Sequence, residues 1–269
     1  MDLEPLNRHP EPQALSISHG GDFLADTEEI LELENLGVEV EGKEILHDIN
    51  LQIKCGETHV LFGPNGSGKT TLLMAMMGFP RYRITRGRIV LAGEDITGLR
   101  PDERAKKGIG IMFQRPPTIR GVSLERMVSI CSRDGVDVQA LSEDMNLDEF
   151  LGRDVNHGFS GGEIKRSELL QLLAQDPSIV LLDEPESGVD LENLQLVGKA
   201  IRRMLQKDLR RKRTKCGLII THTGYILDYV EADVGHVLCN GVLVCSGNPR
   251  EQLEGIRKYG FEECSKCTR

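Results

Sequence analysis

The chain has 269 residues, enough for one large domain or two small ones, and a formal net charge of −9. The charge is uneven: residues 1–48 hold 13 Asp and Glu against 2 Lys and Arg, and the remaining 221 residues hold 29 against 31. The balance argues against a general nucleic-acid binder, no apolar run approaches the roughly 18 residues of a membrane span, no signal-peptide pattern opens the chain, and seven scattered cysteines fit reduced thiols in a cytoplasmic protein.

Residues 1–28 mix Pro, Ser, Gly, His and acids without periodicity and read as a mobile extension. A strand begins near Ile30, Gly42-Lys43 turns, and Ile45 to Ile53 supplies a further strand pair. His59-Val60-Leu61-Phe62 reads as a short buried strand, and a helix starts at Thr71. Ile89-Val90-Leu91 is a short strand, and Ile109 to Phe113 is another that ends at Gln114. Short helices are expected over 120–156, with a turn at Arg133-Asp134-Gly135. Glu163 to Ala174 carries a helical apolar pattern, Ser178 to Leu182 is a continuous apolar run, and Leu191 to Leu209 is amphipathic, ending in Arg210-Arg211-Lys212-Arg213. Leu218-Ile219-Ile220 is a buried strand, and short strands run on to about Ser246. Strands alternating with helices predict an α/β fold with a mainly parallel sheet.

The most specific pattern lies between the first buried strand and the first helix. Gly63-Pro64-Asn65-Gly66-Ser67-Gly68-Lys69-Thr70 is a phosphate loop. Its glycines let successive backbone N–H groups point at a polyphosphate, Lys69 reaches the β- and γ-phosphates, and Thr70 can place its hydroxyl on Mg²⁺. The helix that opens at Thr71 adds its N-terminal dipole. The strand Ile179 to Leu182 ends in Asp183-Glu184. Asp183 can hold Mg²⁺ directly or through water, and Glu184 can orient or deprotonate the attacking water. Gln114 can reach the metal or that water, and His222 can donate to the γ-phosphate as charge develops. Ser160-Gly161-Gly162-Glu163 forms a helix start with bare N–H groups, a second anion site without a lysine.

In this order the loop at 63–70, Gln114, Phe159-Ser160-Gly161-Gly162-Glu163, Asp183-Glu184, Ser187-Gly188-Val189-Asp190 and His222 resemble an ABC-type ATPase over residues 30–247 or so. The resemblance implies a P-loop fold of ABC type: a mainly parallel core, an antiparallel β part and a small helical subdomain at about 116–175. The ATPase domain would occupy 29–250 and a C-terminal tail 251–269. It also implies an ATP-dependent homodimer in which Ser160 to Glu163 bind the ATP of the opposing chain, with Asp190 lining that interface.

Within the family, Glu163-Ile164-Lys165-Arg166-Ser167-Glu168-Leu169-Leu170-Gln171 and Ser187-Gly188-Val189-Asp190 are similar to SufC-type ATPases of iron–sulfur assembly. So is Ile226-Leu227-Asp228-Tyr229 after His222, with His236-Val237-Leu238 beyond it. Pro185-Glu186 and Thr223-Gly224-Tyr225 depart from that pattern, and the adenine-stacking position falls at Val40. A SufB/SufD-like soluble scaffold is the implied partner, docked near Gln114 to Thr118 and 120–156. The alternative is the ATP-binding subunit of a membrane transporter. The terminal Cys264-Ser265-Lys266-Cys267 supplies half a metal site at most, so a free reduced tail is expected, and the basic run at 210–213 reads as a helix end.

Overall fold

A computed structural model describes residues 29–133, 135–209 and 213–261. Residues 1–28, most of the basic run at 210–213, and Cys264 and Cys267 lie outside the described residues.

The chain opens as two long antiparallel strands, β1 (Glu29–Val40) and β2 (Lys43–Lys54), around the foreseen turn. They form one ladder rather than a strand plus a strand pair. The chain then crosses to β3 (Thr58–Phe62), the phosphate loop and α1 (Lys69–Met77). It returns to the first sheet with β4 (Tyr82–Leu91) and β5 (Glu94–Asp95), giving the order β2-β1-β4-β5. Only the apolar end of β4 was legible. Its first half, Tyr82 to Arg88, is mostly exposed and charged, and cross-strand ion pairs such as Arg83–Glu39 and Arg88–Glu34 hold it to β1.

Next come α2 (Pro101–Lys106), β6 (Ile109–Met112), and β7 (Ile119–Ser123), which pairs with β8 (Asp154–Val155). Between β7 and β8 lie α3 (Leu124–Cys131) and α4 (Val138–Asp144). After β8 follow α5 (Gly161–Gln175), β9 (Ile179–Asp183), α6 (Leu191–Met204) and β10 (Cys216–Ile220), and the described chain closes with β11 (Val234–Cys239), β12 (Val242–Gly247) and α7 (Pro249–Tyr259). Helix α6 stops at Met204, five residues before the expected end at Leu209. A turn at 205–208 follows, with Gln206 in the left-handed region.

The second sheet has the order β12-β11-β3-β10-β9-β6, parallel except for the edge strand β12. Both faces of its central strands are covered. Val180 and Leu182 of β9 join the core under α5 and α6, while Ile179 and Leu181 join the core toward α1 and the antiparallel sheet. This two-sided burial is why β9 and β10 read as continuous apolar runs rather than alternating ones. The adjacent parallel strands β3, β10, β9 and β6 end on one edge: Leu61 pairs with Ile220, Ile220 with Asp183, and Leu182 with Met112. The phosphate loop, His222, Asp183-Glu184 and Gln114 follow those ends directly. In open α/β sheets ligands bind outside the carboxyl ends of the strands.

Candidate nucleotide site

The phosphate loop encloses one wall of a pocket of about 360 Å³, lined by Ile45, Asn65, Gly66, Gly68, Lys69, Thr70, Thr71, Gln114, Glu184 and His222. Gly66 has φ +78 and nothing within 4 Å of where a Cβ would stand, so the backbone there is open to a ligand. Lys69 is buried, and its Nζ donates to Gly63 O at 2.8 Å and Pro64 O at 2.9 Å. An ammonium has three donors, so one remains for an anion. Burial pulls the Lys69 pKa down, while Glu184 and Asp183 oppose the shift. Gly63 and Pro64 thus serve through their carbonyls. Ser67 is buried behind the loop, and its Oγ meets no partner among the described residues.

Asp183 lies fully buried under the pocket floor. Its Oδ2 accepts from Thr70 Oγ1 at 2.9 Å, and its Oδ1 has no partner among the described residues. Burial raises its pKa, against the Thr70 hydrogen bond and the cations Lys165 and Lys69. A hydroxyl beside a buried carboxylate with a free oxygen is the donor set that a hard divalent cation takes. Glu184 follows with φ +50, and its backbone N donates to Ile220 O at 3.1 Å. This left-handed turn swings the side chain back over the pocket. There Oε2 accepts from Gln114 Nε2 at 2.6 Å, and Oε1 meets His222 Nε2. Gln114 after β6, Glu184 after β9 and His222 after β10 therefore meet at one sheet edge.

Ser160 to Glu163 do not line this pocket. Ser160 caps α5: its Oγ accepts from Glu163 N at 3.3 Å, while Glu163 Oε2 accepts from Ser160 N at 2.7 Å. Ser160 and Gly161 are exposed, and a Cβ on Gly161 would stand 2.6 Å from Gly188 O. The loop Ser187 to Asp190 therefore packs on this helix start within the same chain. Asp190 caps α6, accepting from Asn193 N at 2.9 Å, and a Cβ on Gly162 would meet the Asn193 amide.

Several site residues were not legible beforehand. The apolar wall of the pocket includes Ile45, whereas Val40 is not among its lining residues. Lys165 and Glu168 grip the end of β6: Lys165 Nζ donates to Phe113 O at 2.9 Å and Gln114 O at 3.0 Å, and Glu168 Oε1 accepts from Phe113 N at 3.0 Å. Arg166 Nη1 donates to Met145 O at 2.6 Å and Asn146 O at 2.9 Å. All three are buried. Desolvation lowers the Lys165 pKa and pushes the Glu168 carboxyl up to about 7. The available signal was the placing of Lys165 and Glu168 at i, i+3 with Leu172 further along one helical face.

This fold and site define an ATP-binding cassette. A family profile described as ABC transporter matches residues 46–187, more than half of the chain, and the chain belongs to that family as an ATPase. It is similar to Vegetative protein 296 of Bacillus subtilis (strain 168), with 41% identity over 246 residues covering 86% of this chain and 92% of that protein. It is also similar to the probable ATP-dependent transporter ycf16 of Cyanidium caldarium, with 38% identity covering 89% of this chain and 98% of that protein. Among solved structures, the ADP form of an ATP-binding cassette of an ABC transporter superposes with a TM-score of 0.70 at 23% identity, covering 90% of this chain and 98% of that one. An ATP-bound Atm1-family exporter gives 0.72 at 22% identity over 88% of this chain and 42% of that one. These two likenesses establish the fold. No helix among the described residues is long and apolar enough to cross a membrane.

Proposed function

We propose that this ATPase is the energy-supplying subunit of a cytoplasmic Suf-type iron–sulfur assembly complex, in which ATP-driven dimerisation remodels a SufB/SufD-like scaffold. The observation that carries the reading is the grip of Lys165 and Glu168 on Phe113 and Gln114. The residues that set this signature helix apart in sequence are the ones that tie it to the Gln114 loop, and Gln114 holds Glu184. A partner seated on the helical subdomain can thereby reach the hydrolytic carboxylate.

In this reading the N–H groups of residues 65–71 and Lys69 hold the phosphates, with the α1 dipole behind them. Thr70, Asp183 and Gln114 would hold Mg²⁺, which supplies charge neutralisation between the phosphates. Glu184 takes a proton from the attacking water, and His222 steadies the γ-phosphate oxygens. Each Glu184 oxygen has one contact in the single chain, Gln114 on Oε2 and His222 on Oε1, and keeps a further lone pair with which to take that proton. Ser160 to Glu163 of a second copy complete the site. ATP that binds across the closed dimer favours closure by its differential affinity, and closure does work on whatever is attached.

The names of several relatives, such as a probable ABC transporter ATP-binding protein of Streptococcus pyogenes at 42% identity, favour a second reading as the ATP-binding subunit of a membrane transporter. Purification of the tagged protein from its native source separates the two. Recovery of a soluble β-rich scaffold that stimulates turnover supports the first, and recovery of a polytopic permease refutes it.

A further inference from the structure

We propose that the C-terminal helix α7 positions His222, with Arg257 and Leu253 as the positioning residues; this rests on the reading of His222 as a contact to the γ-phosphate. His222 sits in the loop Thr221-His222-Thr223-Gly224, and two sides hold that loop. On one side is the buried Glu186, in the turn that follows Glu184. It meets Thr221 Oγ1 and accepts from Thr223 Oγ1 at 3.2 Å, while Gly224 N donates to Thr221 Oγ1 at 2.8 Å. On the other side is α7. Arg257 Nη2 donates to Thr223 O at 3.1 Å, the carbonyl next to His222. Gly224 has φ +73 and packs so close to α7 that a Cβ there would stand 2.5 Å from Leu253 Cδ2.

The helix itself is seated firmly enough to act as a stop. Asn248 caps it, accepting from Arg250 N at 2.9 Å and Glu251 N at 3.2 Å. Leu253 and Gln252 are buried, and a Cβ on Gly235 of β11 would stand 2.1 Å from Gln252 Oε1. Ile256 and Phe261 pack on the same core. The loop therefore has one anchor on Glu186, in the turn after β9, and an outer one on α7. The outer anchor limits how far His222 can travel when it leaves Glu184 for a phosphate oxygen. Displacement of α7 by anything bound to it would change turnover without touching the nucleotide.

The test is a double-mutant cycle on the full chain, with steady-state ATP hydrolysis as the readout. Arg257 is exposed, so Arg257→Met leaves the core intact. We expect it to lower kcat about five-fold, the value of one hydrogen bond, with the KM for ATP changed less than about two-fold. Arg257→Lys, which can still donate to Thr223 O, should recover most of the rate. In a His222→Ala background Arg257→Met should have no further effect. A wild-type kcat for Arg257→Met, or the same loss in both backgrounds, overturns the role of α7 and leaves the reading of His222 standing. Wild-type turnover by His222→Ala alone overturns that reading and the proposal with it.

Discussion

Replacing Glu168 by Gln should stabilise the protein, and by more at alkaline pH than at mildly acidic pH. The carboxyl is 7% exposed, Oε1 accepts from Phe113 N, and Oε2 has no partner among the described residues. Burial raises its pKa from an ordinary 4.5 to about 7. The folded state holds the proton more tightly than the unfolded chain, so the stability this contributes is present below about 4.5 and is lost as pH rises toward about 7. Over the whole window the loss is about 3 kcal/mol, from about 1.4 kcal/mol per pKa unit. By pH 6 about 2 kcal/mol is already lost, so about 1 kcal/mol remains to separate the two proteins between pH 6 and pH 8.5. Gln keeps the acceptor for Phe113 N and cannot ionise; its amide N–H groups lack an acceptor and offset about 1 kcal/mol of the gain at every pH. Urea unfolding of both proteins at pH 6 and pH 8.5 measures the difference, in which the other titrating groups cancel. A gap that stays constant or narrows toward pH 8.5 refutes the burial argument for Glu168.

Lys69→Met should abolish ATP binding by isothermal calorimetry while leaving the melting temperature near wild type, because among the described residues the lost ammonium donates to two loop carbonyls alone. Arg104→Met should be among the most destabilising single changes, at about 4 kcal/mol in urea unfolding, about 1 kcal/mol for each hydrogen bond lost. The guanidinium is 1% exposed and donates to Thr97, Leu99, Ala75 and Met76 carbonyls, closing the C-terminus of α1. Gly161→Ala should leave ATP binding to the single chain intact and reduce turnover at least about ten-fold, since a methyl there drives Gly188 O away from 2.6 Å. A wild-type rate for this variant would show that the packing of α5 on the loop at 187–190 is not needed.

The central sheet was legible because strands buried on both faces leave uninterrupted apolar runs, as at 179–182 and 218–220. The phosphate loop and the acids after β9 were legible because their chemistry needs fixed residue types at fixed spacing. Helix α7 was not. The expected boundary between domain and tail at 250/251 falls inside it, because Pro249-Arg250-Glu251-Gln252-Leu253-Glu254 is mostly polar; yet Asn248 and Pro249 are a cap and a first-turn proline, and Leu253 fills the core. The Lys165–Glu168 grip is not legible in sequence, because charged side chains read as solvated until tertiary contacts with Phe113 and Gln114 are known. Ile45 reaches the pocket through the pairing of β2, which sequence periodicity does not locate.

The most direct test of an ATP-closed clamp is the mass of Glu184→Gln in solution. Sedimentation equilibrium with Mg²⁺ and ATP should give a dimer, and the same protein with ADP or with an added Ser160→Arg change should give a monomer. A monomer with ATP, or a dimer that ignores both the nucleotide and Ser160, would contradict the account.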